Sequence, residues 1–155
     1  MFYWLEDTSA AIWVGESLWG YPIMLGLHIV GLAMVVGLFV MRDLRLLGFF
    51  SNISYQSTYD FTKLGWFGFF INAISGCFLF TSQASYFITH MPFLLKITMI
   101  LMAALLAVFI QKRTQEFSAD WDNGLLKIGK IKILAFFSIF LWAGAIIAGR
   151  LIAYL

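Results

Sequence analysis

The chain has little charge and a single cysteine. Only 12% of its 155 residues are charged, while 62% are hydrophobic and the mean hydropathy is +0.90. Soluble globular domains carry about a quarter charged residues, so the composition excludes a water-soluble fold. The lone Cys77 cannot form an intrachain disulfide. It lies in an apolar run, and we expect it to fill space between helices.

Motifs that would identify a reaction are also missing from the sequence. No CxxC or CxxCH motif occurs, which argues against a zinc knuckle and against covalently attached c-type haem. No nucleophile–base pair, pair of catalytic carboxylates or phosphate-binding loop is visible. The basic connection 112–132 also carries Glu116, Asp120 and Asp122, which is typical of a solvated loop near anionic lipid. The sequence therefore predicts neither nucleic-acid binding nor a catalytic activity of its own.

Four apolar segments are long enough to cross a bilayer, for which about 20 residues are needed. They cover residues 18–41, 64–88, 92–111 and 131–155. The sequence therefore predicts an all-α fold, a four-transmembrane-helix bundle that forms one integral membrane domain over residues 1–155.

The segments outside the spans differ in character. The connection 42–63 is polar, 112–130 is the most charged stretch, and the turn before Pro92 is very short. The N-terminal tail contains Trp4 and Trp13 together with acidic residues. We expect it to lie along the membrane interface as a short amphipathic segment.

Basic residues are concentrated in two connections that fall on the same side of a four-span protein. They are Arg42, Arg45, Lys63, Lys112, Arg113, Lys127, Lys130 and Lys132. The positive-inside rule predicts that this side is cytoplasmic, which leaves both termini on the outer side. Arg42, Asp43 and Arg45 are expected to be anchoring charges at a helix end.

Small and polar residues mark the faces that point inward. In lipid, small residues let helices approach closely and polar residues need partners. On the second span, they form one stripe: Gly65, Gly68, Asn72, Ser75, Gly76, Ser82 and Gln83. The faces expected to meet this stripe are, on the first span, Tyr21, Met24, His28, Gly31 and Val35; on the third, Lys96, Met99, Ala103 and Ala107; and on the fourth, Ser138, Trp142, Ala145 and Gly149.

Three ionisable residues lie inside the spans, where each costs about 3 kcal/mol or more if unpartnered. At a rise of 1.5 Å per residue, His28 lies about 15 Å below the outer surface, and Lys96 and Arg150 about 7 Å below it. Glu16 at the outer mouth is the acid nearest to them in depth. The depths predict a polar pocket in the outer half of the bundle, formed by His28, Lys96, Arg150, Glu16, Tyr21, Asn72 and Ser75.

This pocket has two interpretations. In the structural one, His28 bonds across the bundle to Asn72 or Ser75, and Glu16 pairs with Arg150. In the other, His28 binds a cofactor, as a ligand to the iron of haem b or as a hydrogen-bond partner of a quinone. Lys96 and Arg150 would then face the haem propionates. A metal is expected at His28 only if haem or copper binds.

Several strings in the chain resemble a known family. They are Glu16-Ser17-x-Trp19, Pro22, His28-x-x-Gly31-Leu32-Ala33, Asp43-Leu44-Arg45-Leu46-Leu47-Gly48, Pro92-x-x-x-Lys96, Trp142 and Gly149-Arg150-x-Ile152-Ala153-Tyr154. They are similar to strings in an uncharacterised family of bacterial four-helix inner-membrane proteins. This resemblance covers nearly the whole chain and implies a bacterial plasma-membrane location, but no established activity.

A fainter likeness, at the level of the fold, is to CopD-type membrane domains and small cytochrome b subunits. A bis-histidine haem b needs two histidines that face each other within the bilayer, and only His28 lies in a span. Fold likeness alone does not establish function.

Three classes of function follow. The first is an accessory or assembly subunit of a larger membrane complex, with other membrane subunits or further copies of itself as partners. The second is an electron-transfer module that binds haem b or quinone near His28. The third is small-ion transport, which the lack of acidic residues in mid-membrane disfavours for a cation.

Overall fold

The computed structural model describes residues 3–116, 129–152 and 154, and within these ranges the regular structure is entirely helical. The helices are α1 (Tyr3–Glu6), α2 (Ser9–Glu16), α3 (Gly20–Leu47), α4 (Tyr55–Thr81), α5 (Ala84–Phe87), α6 (Met91–Glu116) and α7 (Gly129–Leu151). Four of them, α3, α4, α6 and α7, are long and apolar enough to cross a membrane. The predicted all-α bundle with four membrane-spanning helices is confirmed.

The first two long helices extend beyond the apolar segments that predicted them. Helix α3 continues to Leu47, where Gly48 adopts a left-handed φ of 111° and ends it. Helix α4 begins at Tyr55 because the Ser54 hydroxyl accepts a hydrogen bond from the Ser57 backbone nitrogen at 3.2 Å. The non-helical connection between these two helices is therefore shorter than the predicted 42–63, since most of those residues are helical.

Helix α4 also ends earlier than its apolar segment. The hydroxyls of Thr81 and Ser82 donate to the carbonyls of Phe78 and Leu79, and Gln83 leaves the helical conformation with φ −148° and ψ 42°. Such local side-chain bonds compete with continuation of a helix. The remaining apolar residues form the separate short helix α5.

Helices α3 and α4 cross with their backbones in contact. A Cβ atom on Gly31 would lie only 2.6 Å from the backbone nitrogen of Asn72 and 2.9 Å from the backbone oxygen of Gly68. Only glycine allows this approach, as expected for small residues at a membrane helix interface. Helix α7 packs against both α3 and α6, whereas α4 and α6 touch at few points.

The centre of the bundle is aromatic. The Phe39 ring lies 5.3 Å from Trp66 and 5.6 Å from Trp142, measured between centroids. Ala103 and Ala107 of α6 are fully buried against this cluster. The inward faces predicted for the third and fourth spans are thus confirmed in their central parts.

The N-terminal segment packs on the bundle. Ala11 and Val14 of α2 are buried, and the Glu6 carboxylate accepts a hydrogen bond from the Ser85 backbone nitrogen at 2.7 Å. The position of this segment at a membrane interface stays a prediction. The expectation for Cys77 is wrong, because its side chain is exposed on α4 rather than packed between helices.

Candidate functional site

Two reciprocal hydrogen bonds join the middle of α3 to α4. The His28 Nδ1 atom lies 3.0 Å from the backbone oxygen of Asn72. The Asn72 side-chain amide donates to the backbone oxygen of His28 at 2.8 Å. Each residue therefore uses both its side chain and its backbone carbonyl, and the pair clamps the two helices just beyond the Gly31 crossing.

This clamp fixes the tautomer of the His28 ring. A carbonyl oxygen can only accept a hydrogen bond, so Nδ1 carries the proton and donates a hydrogen bond to the backbone oxygen of Asn72. The Ser75 hydroxyl, 3.3 Å from Nδ1, donates instead to the backbone oxygen of Ile71 at 2.7 Å. In the neutral ring, Nε2 is then the atom with a free lone pair. Histidines that ligate metals are held in this way, with the other ring nitrogen bonded to a carbonyl or carboxylate.

The imidazole lies directly against the backbone of α4. A Cβ atom on Gly76 would come within 3.0 Å of His28 Cε1, so a larger residue at this position would push the ring away. Gly65, Gly68, Asn72 and Ser75 are all buried, whereas Gln83 at the end of the predicted stripe is exposed. The stripe predicted on the second span is therefore confirmed up to its last turn.

Lys96 is the other ionisable residue close to the clamp. Its half-buried side chain runs along α7, and its Nζ atom would lie 3.7 Å from a Cβ atom on Gly149. Among the described residues, Lys96 forms no salt bridge.

The structure does not bring the remaining predicted site residues together with His28. Glu16, Tyr21 and Arg150 are exposed, and no salt bridge joins Glu16 to Arg150 within the described ranges. Equal depth along the membrane normal does not place residues on the same face, and Arg150 follows Gly149 by one helical step of about 100°. Of the seven predicted residues, His28, Asn72 and Ser75 meet directly, with Lys96 nearby.

A buried ion pair at the basic end of the bundle is the main feature that the sequence patterns did not predict. Arg42 and Asp43 are only 2% and 0% exposed. The Arg42 guanidinium donates from Nε and Nη2 to Asp43 Oδ1 at 2.9 and 2.7 Å, and from Nη1 to the backbone oxygen of Ala107 at 3.1 Å. The expectation that these two residues are anchoring charges at a helix end is wrong.

The periodicity of buried positions along α3 is the sequence pattern that predicts a buried Arg42. The buried residues of the helix include Gly31, Val35, Phe39, Arg42 and Leu46, which follow one another at intervals of three and four. Arg42 continues the inward face of the helix, so its charge had to be neutralised within the bundle.

Helix α7 completes the surroundings of Asp43. Ser138 is fully buried and lies close to the Asp43 carboxylate. Three polar atoms here make no hydrogen bond to a described protein atom: the Ser138 hydroxyl, Asp43 Oδ2 and the Trp142 indole nitrogen. No group of three or more His, Cys, Asp or Glu in the described ranges is arranged to hold a metal ion.

Comparisons with protein-family models, with curated proteins and with solved structures gave no match. The resemblance to the bacterial four-helix family therefore stays a prediction from the sequence strings.

Proposed function

We propose that this protein is an accessory or assembly subunit of a larger membrane complex. The observation that carries the proposal is Lys96, a half-buried cation on a spanning helix that pairs with no carboxylate of the described chain. Arg150, exposed one residue after the Gly149 that the Lys96 side chain contacts, adds a second cation at this end of α7. A partner subunit that brings carboxylates to this surface would neutralise charges that are costly in lipid.

The other polar groups of the spans support the same proposal. His28 and Asn72 are used to hold α3 against α4, and Arg42 is bonded to Asp43 and to α6. Polar residues in membrane proteins often serve as such connections between helices. A chain whose interior polar groups hydrogen-bond its own helices to one another is suited to a structural role.

The proposal is tested by the size of the assembly in mild detergent. The native protein should elute as part of a larger complex of fixed stoichiometry. Replacing both Lys96 and Arg150 with methionine should shift most of it to the size of the free chain, because both cations are lost. Replacing the exposed Arg113 with methionine at the opposite end is the matched control and should leave the complex intact. A native protein that elutes only as the free chain would contradict the proposal.

One observation favours a second candidate, the electron-transfer module. The donation from His28 Nδ1 to a backbone carbonyl leaves Nε2 available for haem iron or for a quinone oxygen. Against it stands the lack of a second imidazole in the spans, since His90 lies outside them, 3.5 Å from the Tyr86 hydroxyl.

The four long apolar helices indicate a multi-pass membrane protein. We further propose a bacterial plasma-membrane location with both termini outside, supported by the family resemblance and by the basic residues around the α3–α4 and α6–α7 connections.

A further inference from the structure

We propose that a polar cavity at the basic end of the bundle binds the phosphate group of a phospholipid head group. The cavity has a volume of about 200 Å³ and lies between the start of α4 and the end of α6, with α3 behind it. Its lining residues are Arg42, Gln56, Thr58, Tyr59, Thr62, Gln111, Thr114 and Gln115.

The cavity is a built site rather than a gap between exposed side chains. Arg42, Thr58 and Thr62 are only 2%, 3% and 1% exposed, and Arg42 is held in place by Asp43 and Ala107. Gln111 is fixed as well, because its Oε1 atom accepts a hydrogen bond from the Trp66 indole at 2.7 Å. The polar groups are therefore positioned before any ligand arrives.

Two of the fixed groups, Arg42 and Gln111, have donors to spare, whereas the Thr58 and Thr62 hydroxyls donate to the backbone oxygens of Ser54 and Thr58. Arginine carries five N–H groups, and Arg42 uses two on Asp43 and one on Ala107, which leaves two. Gln111 has committed its oxygen to Trp66, which leaves its NH₂ group to donate. Among the described residues, no carboxylate lines the cavity. A ligand rich in acceptor oxygens fits this lining.

The charge of the site selects among such ligands. Arg42 and Asp43 together are neutral, so the lining suits a singly charged phosphodiester better than a doubly charged free phosphate. Arg42 lies five residues before the end of α3, about 7.5 Å along the helix. A bilayer is about 30 Å thick in its hydrocarbon core and about 40–45 Å thick with its polar regions, so each polar region is about 5–7.5 Å deep. Helix α3, with 28 residues, is about 42 Å long, so Arg42 lies where the head groups meet the hydrocarbon when the helix spans the bilayer.

The test uses the full chain in detergent and the substitution Gln111→Glu. Glutamate keeps an oxygen for Trp66 but replaces the amide donor with a negative charge. Binding of short-chain phosphatidylglycerol is measured by native mass spectrometry and by the shift in Tm. Inorganic phosphate is tested in parallel. The matched control is Gln83→Glu, which makes the same change at an exposed position on the opposite end.

We expect phosphatidylglycerol to raise the Tm of the wild-type protein and of Gln83→Glu, and Gln111→Glu to bind it at least about tenfold more weakly. If inorganic phosphate raises the Tm of the wild type by a comparable amount, and this rise is also lost in Gln111→Glu, the site binds free phosphate. That result would overturn the proposal that its ligand is a phospholipid. Equal lipid binding by the wild type and Gln111→Glu would overturn the site itself, as would no effect of either probe.

A Tm of unliganded Gln111→Glu close to that of the wild type shows that the fold is intact. If that Tm falls, Gln115→Glu, which adds a negative charge at an exposed lining residue, replaces it. Unchanged lipid binding by Gln115→Glu would overturn the site.

Discussion

Replacing Asp43 with asparagine should lower the free energy of unfolding by about 3 kcal/mol or more, because it leaves the Arg42 guanidinium buried without a counter-charge. The substitution keeps the size and shape of the side chain, so packing is preserved and the loss reports on charge. The measurement is the unfolding of the purified protein in detergent, followed by circular dichroism.

The control for this prediction is Asp60→Asn. Asp60 pairs with Lys63 at 3.2 Å, but both side chains are more than half exposed. Pairs of this kind contribute less than about 1 kcal/mol. If Asp43→Asn lost no more stability than Asp60→Asn, the Arg42–Asp43 pair would not be a structural element of the bundle.

The second large effect is expected for Gly31→Ala, although it adds only a methyl group. The new Cβ atom would lie 2.6 Å from the backbone nitrogen of Asn72, and a backbone cannot repack as a side chain can. The helices must separate, which also lengthens the His28–Asn72 hydrogen bonds. We expect a loss of about 3 kcal/mol, the upper part of the range for overpacked cores, in the same unfolding measurement.

Gly37→Ala provides the matched control on the same helix. A Cβ atom on Gly37 would meet nothing within 4 Å, so stability should stay unchanged or rise slightly through better helix propensity. Equal effects of the two alanines would mean that the close crossing of α3 and α4 does not exist in the folded protein.

The sequence predicted the number of spanning helices well but their ends poorly. Hydropathy reports which residues suit lipid, whereas helix ends depend on local hydrogen bonds. The Ser54 cap starts α4 nine residues before its apolar segment, and the side-chain bonds of Thr81 and Ser82 precede its end. Neither feature changes the mean hydropathy of the surrounding segment, so hydropathy cannot locate these helix ends.

The candidate site was predicted in part for a similar reason. Periodicity along one helix placed Asn72 and Ser75 on the inward face, and the structure has both against His28. The rotation of one helix relative to another cannot be read from depth alone. Arg150 and Glu16 therefore shared a predicted level with Lys96 yet lie exposed. Arg42 was missed because a charge near a helix end is most often solvated.

The central claim is that the polar residues inside the spans hold the helices together rather than bind a redox cofactor. The most direct test is the absorption spectrum of the natively expressed, purified protein and of His28→Ala, with extraction of the wild type for haem and quinone. We predict no Soret band and no stoichiometric haem or quinone in the wild type, and lower thermal stability with an unchanged spectrum in His28→Ala. A Soret band that shifts or disappears in His28→Ala would contradict the claim and establish the electron-transfer module instead.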